Sequence, residues 1–201
     1  MGRNKTSSRD EVLTQAMEVF RETGFAGTTA EMLVERTGVS RYSLYSDFKS
    51  LQSLFEAALE RYNDEIIDQR FGPLEQPDAG LDEIYALLSF YGVAGGGPAS
   101  GKGCLLCNTA VEFGPNDLTG SQATQRYFKR LKSAFTNALK NAQSSGDLSQ
   151  KTNVYEEADL LTAVVLGLFV MIRSQAPISG IENAANSAKQ RILAMSAKSA
   201  Y

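Results

Sequence analysis

The residues best suited to recognition chemistry stand in one short segment, Ser40-Arg41-Tyr42-Ser43-Leu44-Tyr45-Ser46. An arginine can bond the edge of a guanine through two parallel hydrogen bonds, and the hydroxyls of serine and tyrosine can bond bases or phosphates. With Val39 and Leu44 turned inward, the outer face of this predicted helix would carry Arg41, Tyr42, Ser43 and Tyr45. These residue types predict a DNA-reading surface, and the alternative is a helical hairpin with a solvated polar face.

The only two cysteines, Cys104 and Cys107, form a C-x-x-C pair. A reactive thiol beside a resolving thiol suits a redox sensor, and residues three apart share one face of a helix. A buried cysteine otherwise serves as a small apolar side chain. Both interpretations stay open: a thiol redox switch and plain core packing.

The segment Gly96–Gly103 nearly matches the phosphate-binding pattern G-x-x-x-x-G-K-[ST]. Its last position is Gly103, so the hydroxyl that would hold magnesium is missing, and no strand pattern precedes it. We therefore expect a mobile loop here. A P-loop-like nucleotide-binding enzyme remains an alternative.

The 201 residues include no histidine, which removes the commonest general base and metal ligand. A single C-x-x-C cannot complete a four-ligand zinc site, and Ser-His or Cys-His catalytic pairs cannot form. We therefore expect no enzyme activity, no metal and no cofactor.

Helical periodicity recurs along the chain and strand signals are poor, which predicts an all-α fold of about nine helices. The first helix spans Arg9–Glu22. A capping box of Thr28 and Glu31 opens a second helix that runs through Arg36. Gly38 marks a tight turn, and Ser40 caps a third helix, Arg41–Ser46. Two short helices joined by a glycine-containing turn are typical of a helix-turn-helix, here Thr28–Phe48.

The composition shifts near residue 50, which predicts a DNA-binding domain at 1–49 and a larger helical domain at 50–201. A long helix is predicted at Ser50–Arg70, followed by a connector at Phe71–Gly80, because that stretch holds Pro73 and Pro77. The later predictions are helices at Leu81–Tyr91, Cys104–Glu112, Gln122–Ser144, Tyr155–Ser174 and Ile181–Ser196, with a flexible loop at Gly92–Gly103.

The distribution of charged and apolar residues indicates which partners the protein could bind and where in the cell it would be found. The net charge is −3, yet Arg3, Lys5 and Arg9 precede the first acidic residue, Asp10, which would place a basic end against DNA phosphates. No run of about eighteen apolar residues exists, and the polar start is unlike a secretory signal. We expect a cytoplasmic protein with no membrane association.

The last two predicted helices have the features of a dimer interface. Tyr155–Ser174 is apolar on most sides and needs cover beyond the core of its own subunit. Ala163 and Gly167 would allow a second helix to approach closely, and Ile181–Ser196 is rich in alanine. Pairing both helices with their two-fold mates would give a homodimer through a four-helix bundle.

The residues Gly24-Phe25, Thr28-Thr29, Gly38-Val39-Ser40, Leu44-Tyr45 and Phe48 resemble the signature of the TetR family of bacterial transcription regulators. The resemblance covers residues 9–55. It implies a three-helix DNA-binding domain and a fourth helix that links it to a domain for ligand binding and dimerisation. It implies DNA contacts from Thr28 or Thr29, Ser40, Arg41, Tyr42, Ser43, Tyr45 and Lys49.

Three positions depart from the family pattern. The family often has glycine at the position of Tyr42, an aromatic residue or histidine at Asp47, and lysine at Leu51. We expect Lys49 to supply the phosphate contact of that missing lysine. Asp47 would repel a phosphate, so we expect it to point away or to read a base amine.

The resemblance also implies a ligand-responsive regulator, a repressor released from its operator DNA by a small apolar or aromatic effector. The stretch Gly103-Cys104-Leu105-Leu106-Cys107-Asn108 to Glu112 is similar to one that opens the sixth helix in a broad subgroup of the family. The helices between the linker and the dimer interface would enclose an apolar effector pocket. Its expected lining is Tyr62, Phe90, Tyr91, Val111, Phe128, Phe135, Phe169 and Arg173.

Overall fold

The computed structural model describes residues 8–114 and 120–196, which form ten α-helices and no strand longer than an isolated bridge. A π-helical turn, Tyr62–Ile67, joins the fourth helix to the fifth without a break. This confirms the predicted all-α fold. The helices are α1 Arg9–Thr23, α2 Ala30–Thr37, α3 Arg41–Phe48, α4 Leu51–Arg61, α5 Asp68–Glu75, α6 Leu81–Val93, α7 Leu105–Glu112, α8 Ser121–Ser144, α9 Val154–Arg173 and α10 Ile178–Ala194.

The described residues fall into two compact units. The first holds residues 8–65, 105–114 and 120–124, and the second holds residues 66–104 and 125–196. These units differ from the predicted division at residue 50, because α4 and α7 belong to the same unit as α1–α3. No helix in the described part of the chain has the length and apolar character that a membrane span requires.

Local hydrogen bonds set the ends of α2 and α3. Thr29 caps α2, since its hydroxyl accepts the N–H of Met32. Gly38 ends α2 in the left-handed region at φ 70°, where glycine has no steric penalty. Ser40 then caps α3 by accepting the N–H of Ser43 at 3.1 Å. The predicted turn and the predicted cap at Ser40 are confirmed.

The predicted capping box of Thr28 and Glu31 is wrong. Thr28 is only 5% exposed, and its hydroxyl donates to the carbonyl of Gly24 and lies 2.7 Å from the hydroxyl of Thr23. Thr29, one residue later, is the cap. Adjacent threonines have the same capping propensity, so the sequence did not indicate which one would be buried.

The first unit is built around a cluster of four phenylalanines. The ring centroid of Phe55 on α4 lies 4.9 Å from that of Phe20 on α1 and 5.0 Å from that of Phe25. Phe113, next to the end of α7, lies 5.9 Å from Phe55. Leu44 and Phe48 bury the inner face of α3 in the same unit. Leu44 is buried as predicted, whereas Val39 is only half-buried.

The predicted connector at Phe71–Gly80 is wrong for its first half, because α5 continues through Pro73 to Glu75. Phe71 and Leu74 are fully buried in the second unit. The side-chain amide of Asn137 on α8 donates to the carbonyls of Leu74 and Gln76, each at 2.9 Å, which satisfies groups at the end of α5. Tertiary burial and this distant cap outweigh the helix-breaking tendency of proline.

The glycine-rich stretch 92–103 is held by hydrogen bonds, contrary to the predicted flexible loop. Gly92 and Val93 belong to α6, and Ala94–Gly96 form a 3-10 turn. The N–H of Gly101 donates to the carbonyl of Ile172 at 3.0 Å. The guanidinium of Arg173 donates to the carbonyl of Lys102 at 3.2 Å. These bonds fix the stretch against the end of α9.

Candidate nucleic-acid interface

Helix α3 turns one apolar face inward and presents a polar and aromatic face to solvent. Arg41, Tyr42 and Ser43 are exposed, Tyr42 to 85%, and Tyr45 is half-buried. The structure therefore places these four predicted residues together on one surface. A short helix with an exposed arginine, tyrosine and serine beside a half-buried tyrosine can offer hydrogen bonds and ring contacts to base edges.

The side chain of Arg41 is held by two neighbours. Its Nη1 donates to Oε1 of Glu31 on α2 at 2.9 Å, and its guanidinium carbon lies 5.8 Å from the ring centroid of Tyr45. Arg41 and Glu31 are both exposed, so the ion pair adds little stability and can open when a stronger acceptor arrives. Glu31 was not among the predicted site residues, since an ion pair between two helices has no signal in sequence spacing.

Thr29 and Ser40 stand at the N-termini of α2 and α3, and both are exposed. The free N–H groups and the dipole at a helix N-terminus favour an anion such as a DNA phosphate. Lys49 is exposed at the end of α3 with φ 65°. Asp47 is also exposed on α3.

Thr28 does not join this surface. Its side chain is buried and its hydroxyl is engaged within the turn that joins α1 to α2. Of the two threonines that the sequence offered as DNA contacts, only Thr29 has an exposed side chain.

The predicted effector residues separate into two groups. In the second unit, the buried ring of Tyr91 lies 4.7 Å from that of Phe169 and 5.2 Å from that of Phe90, measured between centroids. Burial raises the pKa of Tyr91 well above its ordinary value, so this hydroxyl stays neutral. Phe135 is buried and Phe128 is half-buried in the same unit. Phe90, Tyr91 and Phe169 therefore form one aromatic group, whereas the ring of Phe128 contacts that of Tyr127.

Two predicted lining residues do not fit a pocket in the second unit. Val111 is 78% exposed, and Tyr62 belongs to the first unit, where the guanidinium carbon of Arg21 lies 5.5 Å from its ring centroid. The prediction for Val111 is wrong because its position on α7 faces solvent. Arg173 is half-buried and bonded to the backbone of Lys102.

Sequence reasoning missed three residues of the second unit that make contacts with aromatic rings: Arg70, Phe71 and Tyr127. The guanidinium carbon of Arg70 lies 3.7 Å from the ring centroid of Phe90, and the rings of Phe71 and Tyr127 stack at 5.8 Å. Arg70 ends the predicted fourth helix, and Phe71 falls where proline and glycine indicate a connector. A buried helix there had no local signal, because Phe71 is buried by residues distant in sequence.

Both cysteines are buried free thiols. The Sγ of Cys104 donates to the hydroxyl of Tyr127 at 3.7 Å, and both side chains are fully buried. Reactive sensor cysteines are normally accessible to the oxidant, so this burial favours core packing over a redox switch. The P-loop alternative also lacks support, because the helix α6 precedes Gly96 where a P-loop follows a strand.

Comparison with known families gives two matches that together cover most of the chain. Residues 12–58 match the model of bacterial regulatory proteins of the TetR family, and residues 80–188 match the tetracyclin repressor-like C-terminal domain. The first match contains α2, α3 and the turn between them. The second covers more than half of the chain.

Similar proteins agree with these matches. The transcriptional regulator YezE of Bacillus subtilis is 29% identical over 91% of this chain and 95% of its own length. The transcriptional repressor ComR of Escherichia coli is 25% identical over 88% of this chain and 85% of its own. A cysteine mutant of the TetR family regulator CifR, solved with 26-bp double-strand operator DNA, has the same fold at a TM-score of 0.81, 24% identity and coverage of 94% and 98%.

Proposed function

Because the chain belongs to the TetR family of DNA-binding transcription regulators, we propose that it is a repressor released from its operator by a small effector. We assign DNA reading to residues 1–49, and effector binding and dimerisation to residues 50–201. The exposed face of α3 is the observation that carries this proposal, since it gathers base-reading side chains beside two helix N-termini.

In this proposal α3 enters the major groove, and Arg41 leaves Glu31 to bond a guanine edge. Tyr42, Ser43 and Tyr45 contact neighbouring bases or the backbone. Thr29, Ser40 and Lys49 bind phosphates and fix the register of the protein on the duplex.

The effector is an apolar or aromatic molecule that binds beside Tyr91 and Phe169 in the second unit. The support is chemical: the rings of Tyr91 and Phe169 pack edge to face in an apolar environment, and the phenol of Tyr91 is neutral. The protein leaves the DNA when the effector binds better to a conformer in which the two α3 helices of the dimer no longer match the spacing of the operator half-sites. By the same coupling, bound DNA must lower the affinity for the effector.

A screen of aromatic and aliphatic compounds tests this proposal. We expect at least one compound to raise the melting temperature of the protein and to weaken operator binding, because ligand binding stabilises the state that it selects. Phe169→Leu keeps an apolar side chain in this buried position and should weaken both effects of the compound, with operator affinity in its absence close to that of the wild type. A compound that weakens DNA binding equally in wild type and Phe169→Leu would contradict the proposed site.

The homodimer is supported by an uncovered apolar stripe on α9. Leu160, Ala163, Gly167 and Val170 are all exposed and recur at the three- and four-residue spacing of one helix face. A Cβ added at Gly167 would meet no atom within 4 Å, so a second helix has room to approach closely. We propose that the same stripe of a second copy covers it.

Gly167→Glu tests the dimer without damage to the monomer. The added side chain has open space, and glutamate favours a helix over glycine by about 0.5–1 kcal/mol. We expect the dimer dissociation constant, measured by analytical ultracentrifugation, to rise at least about tenfold, because two carboxylates would meet at the interface. Gly167→Ala is the control and should keep most of the dimer. Unchanged association of Gly167→Glu would place the interface elsewhere.

A further inference from the structure

The carboxylate of Glu112, the last residue of α7, is bound across the turn that joins α1 to α2. Its Oε2 accepts the N–H of Phe25 at 2.9 Å, and its Oε1 accepts the N–H of Ala26 at 2.6 Å. Glu112 and Ala26 lie 86 residues apart in sequence but in the same compact unit. Two backbone donors that converge on one exposed carboxylate form a directional arrangement.

The turn is shaped to receive this carboxylate. Gly24 has φ 75°, and a Cβ added there would lie 2.8 Å from Oε2 of Glu112. Glycine therefore meets two requirements, a left-handed backbone and a close approach. On the other side of the turn, the hydroxyl of Thr28 donates to the carbonyl of Gly24. Phe113 packs its ring 5.7 Å from that of Phe25.

We infer that Glu112 is a positioning residue for operator recognition. Its carboxylate fixes the turn from which α2 begins, and α2 in turn supports α3 within the same unit. Without it, the N–H groups of Phe25 and Ala26 lose their acceptor and the entry to α2 is held less firmly. Glu112 lies in the C-terminal family match, whereas the turn lies in the N-terminal one. The inference rests on the DNA-binding function proposed above.

Helix α7 belongs to the same compact unit as α1–α3, although its residues lie far from them in sequence. We call Glu112, together with the N–H groups of Phe25 and Ala26 that it binds, the clasp.

Glu112→Gln tests the inference, because it should change operator affinity in the direction opposite to the one that the loss of a negative charge alone would give. Removing a negative charge should by itself tighten DNA binding. We expect affinity for the operator to fall about tenfold, because a charge-assisted hydrogen bond is lost. Affinity for a scrambled duplex of the same length should stay level or rise slightly. A substitution that merely unfolded part of the sample would reduce both affinities equally.

Glu35→Gln is the matched control, since Glu35 is exposed on α2 and the change in charge is the same. We expect it to keep the ratio of operator affinity to scrambled affinity. Amide hydrogen exchange at Phe25 and Ala26 should accelerate in Glu112→Gln and remain slow in Glu35→Gln. Gly24→Ala, which pushes a methyl group against the carboxylate, should lower the affinity ratio in the same direction as Glu112→Gln.

An unchanged affinity ratio and unchanged exchange in Glu112→Gln would overturn the inference while leaving the proposed function intact. If Glu112→Gln does not fold, an unchanged ratio in Gly24→Ala would overturn it instead. A wild-type protein with no preference for any DNA sequence would overturn both the proposed function and this inference. Arg41→Ala, measured in the same assay, reports on base reading independently of the clasp.

Discussion

Arg41→Ala is expected to weaken operator binding by about 1–3 kcal/mol for each half-site, and so by about twice that for a dimer. Arg41 is the only arginine on α3, and it stands in the exposed first turn of that helix. The loss should be greatest for operators with a guanine at the position it reads, because a bidentate contact discriminates between bases. Fluorescence anisotropy on the operator and on single-base variants measures both quantities.

Arg41→Lys separates base reading from charge. Lysine keeps the positive charge but lacks the planar fork of guanidinium, so affinity for unrelated DNA should remain while guanine preference falls. The ion pair with Glu31 is exposed, and its loss should change stability by less than about 1 kcal/mol. An Arg41→Ala variant with unchanged operator affinity and unchanged sequence preference would show that Arg41 does not contact a base.

Phe55→Ala should destabilise the first unit by about 3–5 kcal/mol. The Phe55 ring is fully buried and contacts three other rings, those of Phe20, Phe25 and Phe113. Its removal leaves a cavity at the point where α1, α4 and the end of α7 meet. Urea denaturation followed by circular dichroism measures the free energy of unfolding.

The control for Phe55→Ala is Tyr42→Ala in the same unit. Tyr42 is an exposed aromatic residue, and exposed substitutions usually change stability by less than about 0.5 kcal/mol. Tyr42→Ala should therefore weaken DNA binding with a normal unfolding midpoint, whereas Phe55→Ala should weaken binding through loss of the folded unit. A stable Phe55→Ala variant would show that the phenylalanine cluster does not hold the unit together.

Much of the fold could be predicted, because the signals that place it are local. Ser40 as a cap and Gly38 as a left-handed turn act through hydrogen bonds and backbone angles within a few residues, and the structure has both where the sequence placed them. The exposed and buried faces of α3 follow from the helical repeat alone, which is why Arg41 and Leu44 were assigned to the correct sides.

The wrong end predicted for the helix at Pro73 arises because residues distant in sequence stabilise that segment. Pro73 indicated the end of a helix, but Asn137 on α8 caps that segment and the core buries Phe71 and Leu74. The error at Thr28 is local instead: its hydroxyl is engaged by Thr23 and Gly24 in its own turn, and the adjacent Thr29 has the same capping propensity.

The contact between Glu112 and the turn before α2 could not be predicted from local sequence patterns either. Glu112 was only the end of a family-like stretch until the fold brought it to the backbone of Phe25 and Ala26. The predicted effector lining failed at Val111 for the same reason, since helical spacing does not reveal which face of α7 meets solvent.

Selection of bound DNA from a random duplex library is the most direct test of the central claim, that α3 reads DNA in a symmetric dimer. We expect one enriched, near-palindromic sequence whose half-sites are centred about 10 base pairs, or a multiple of that distance, apart. We also expect Arg41→Ala to lose a guanine preference at matching positions in both half-sites. Enrichment of no sequence, or of a pattern that Arg41→Ala leaves unchanged, would contradict the claim.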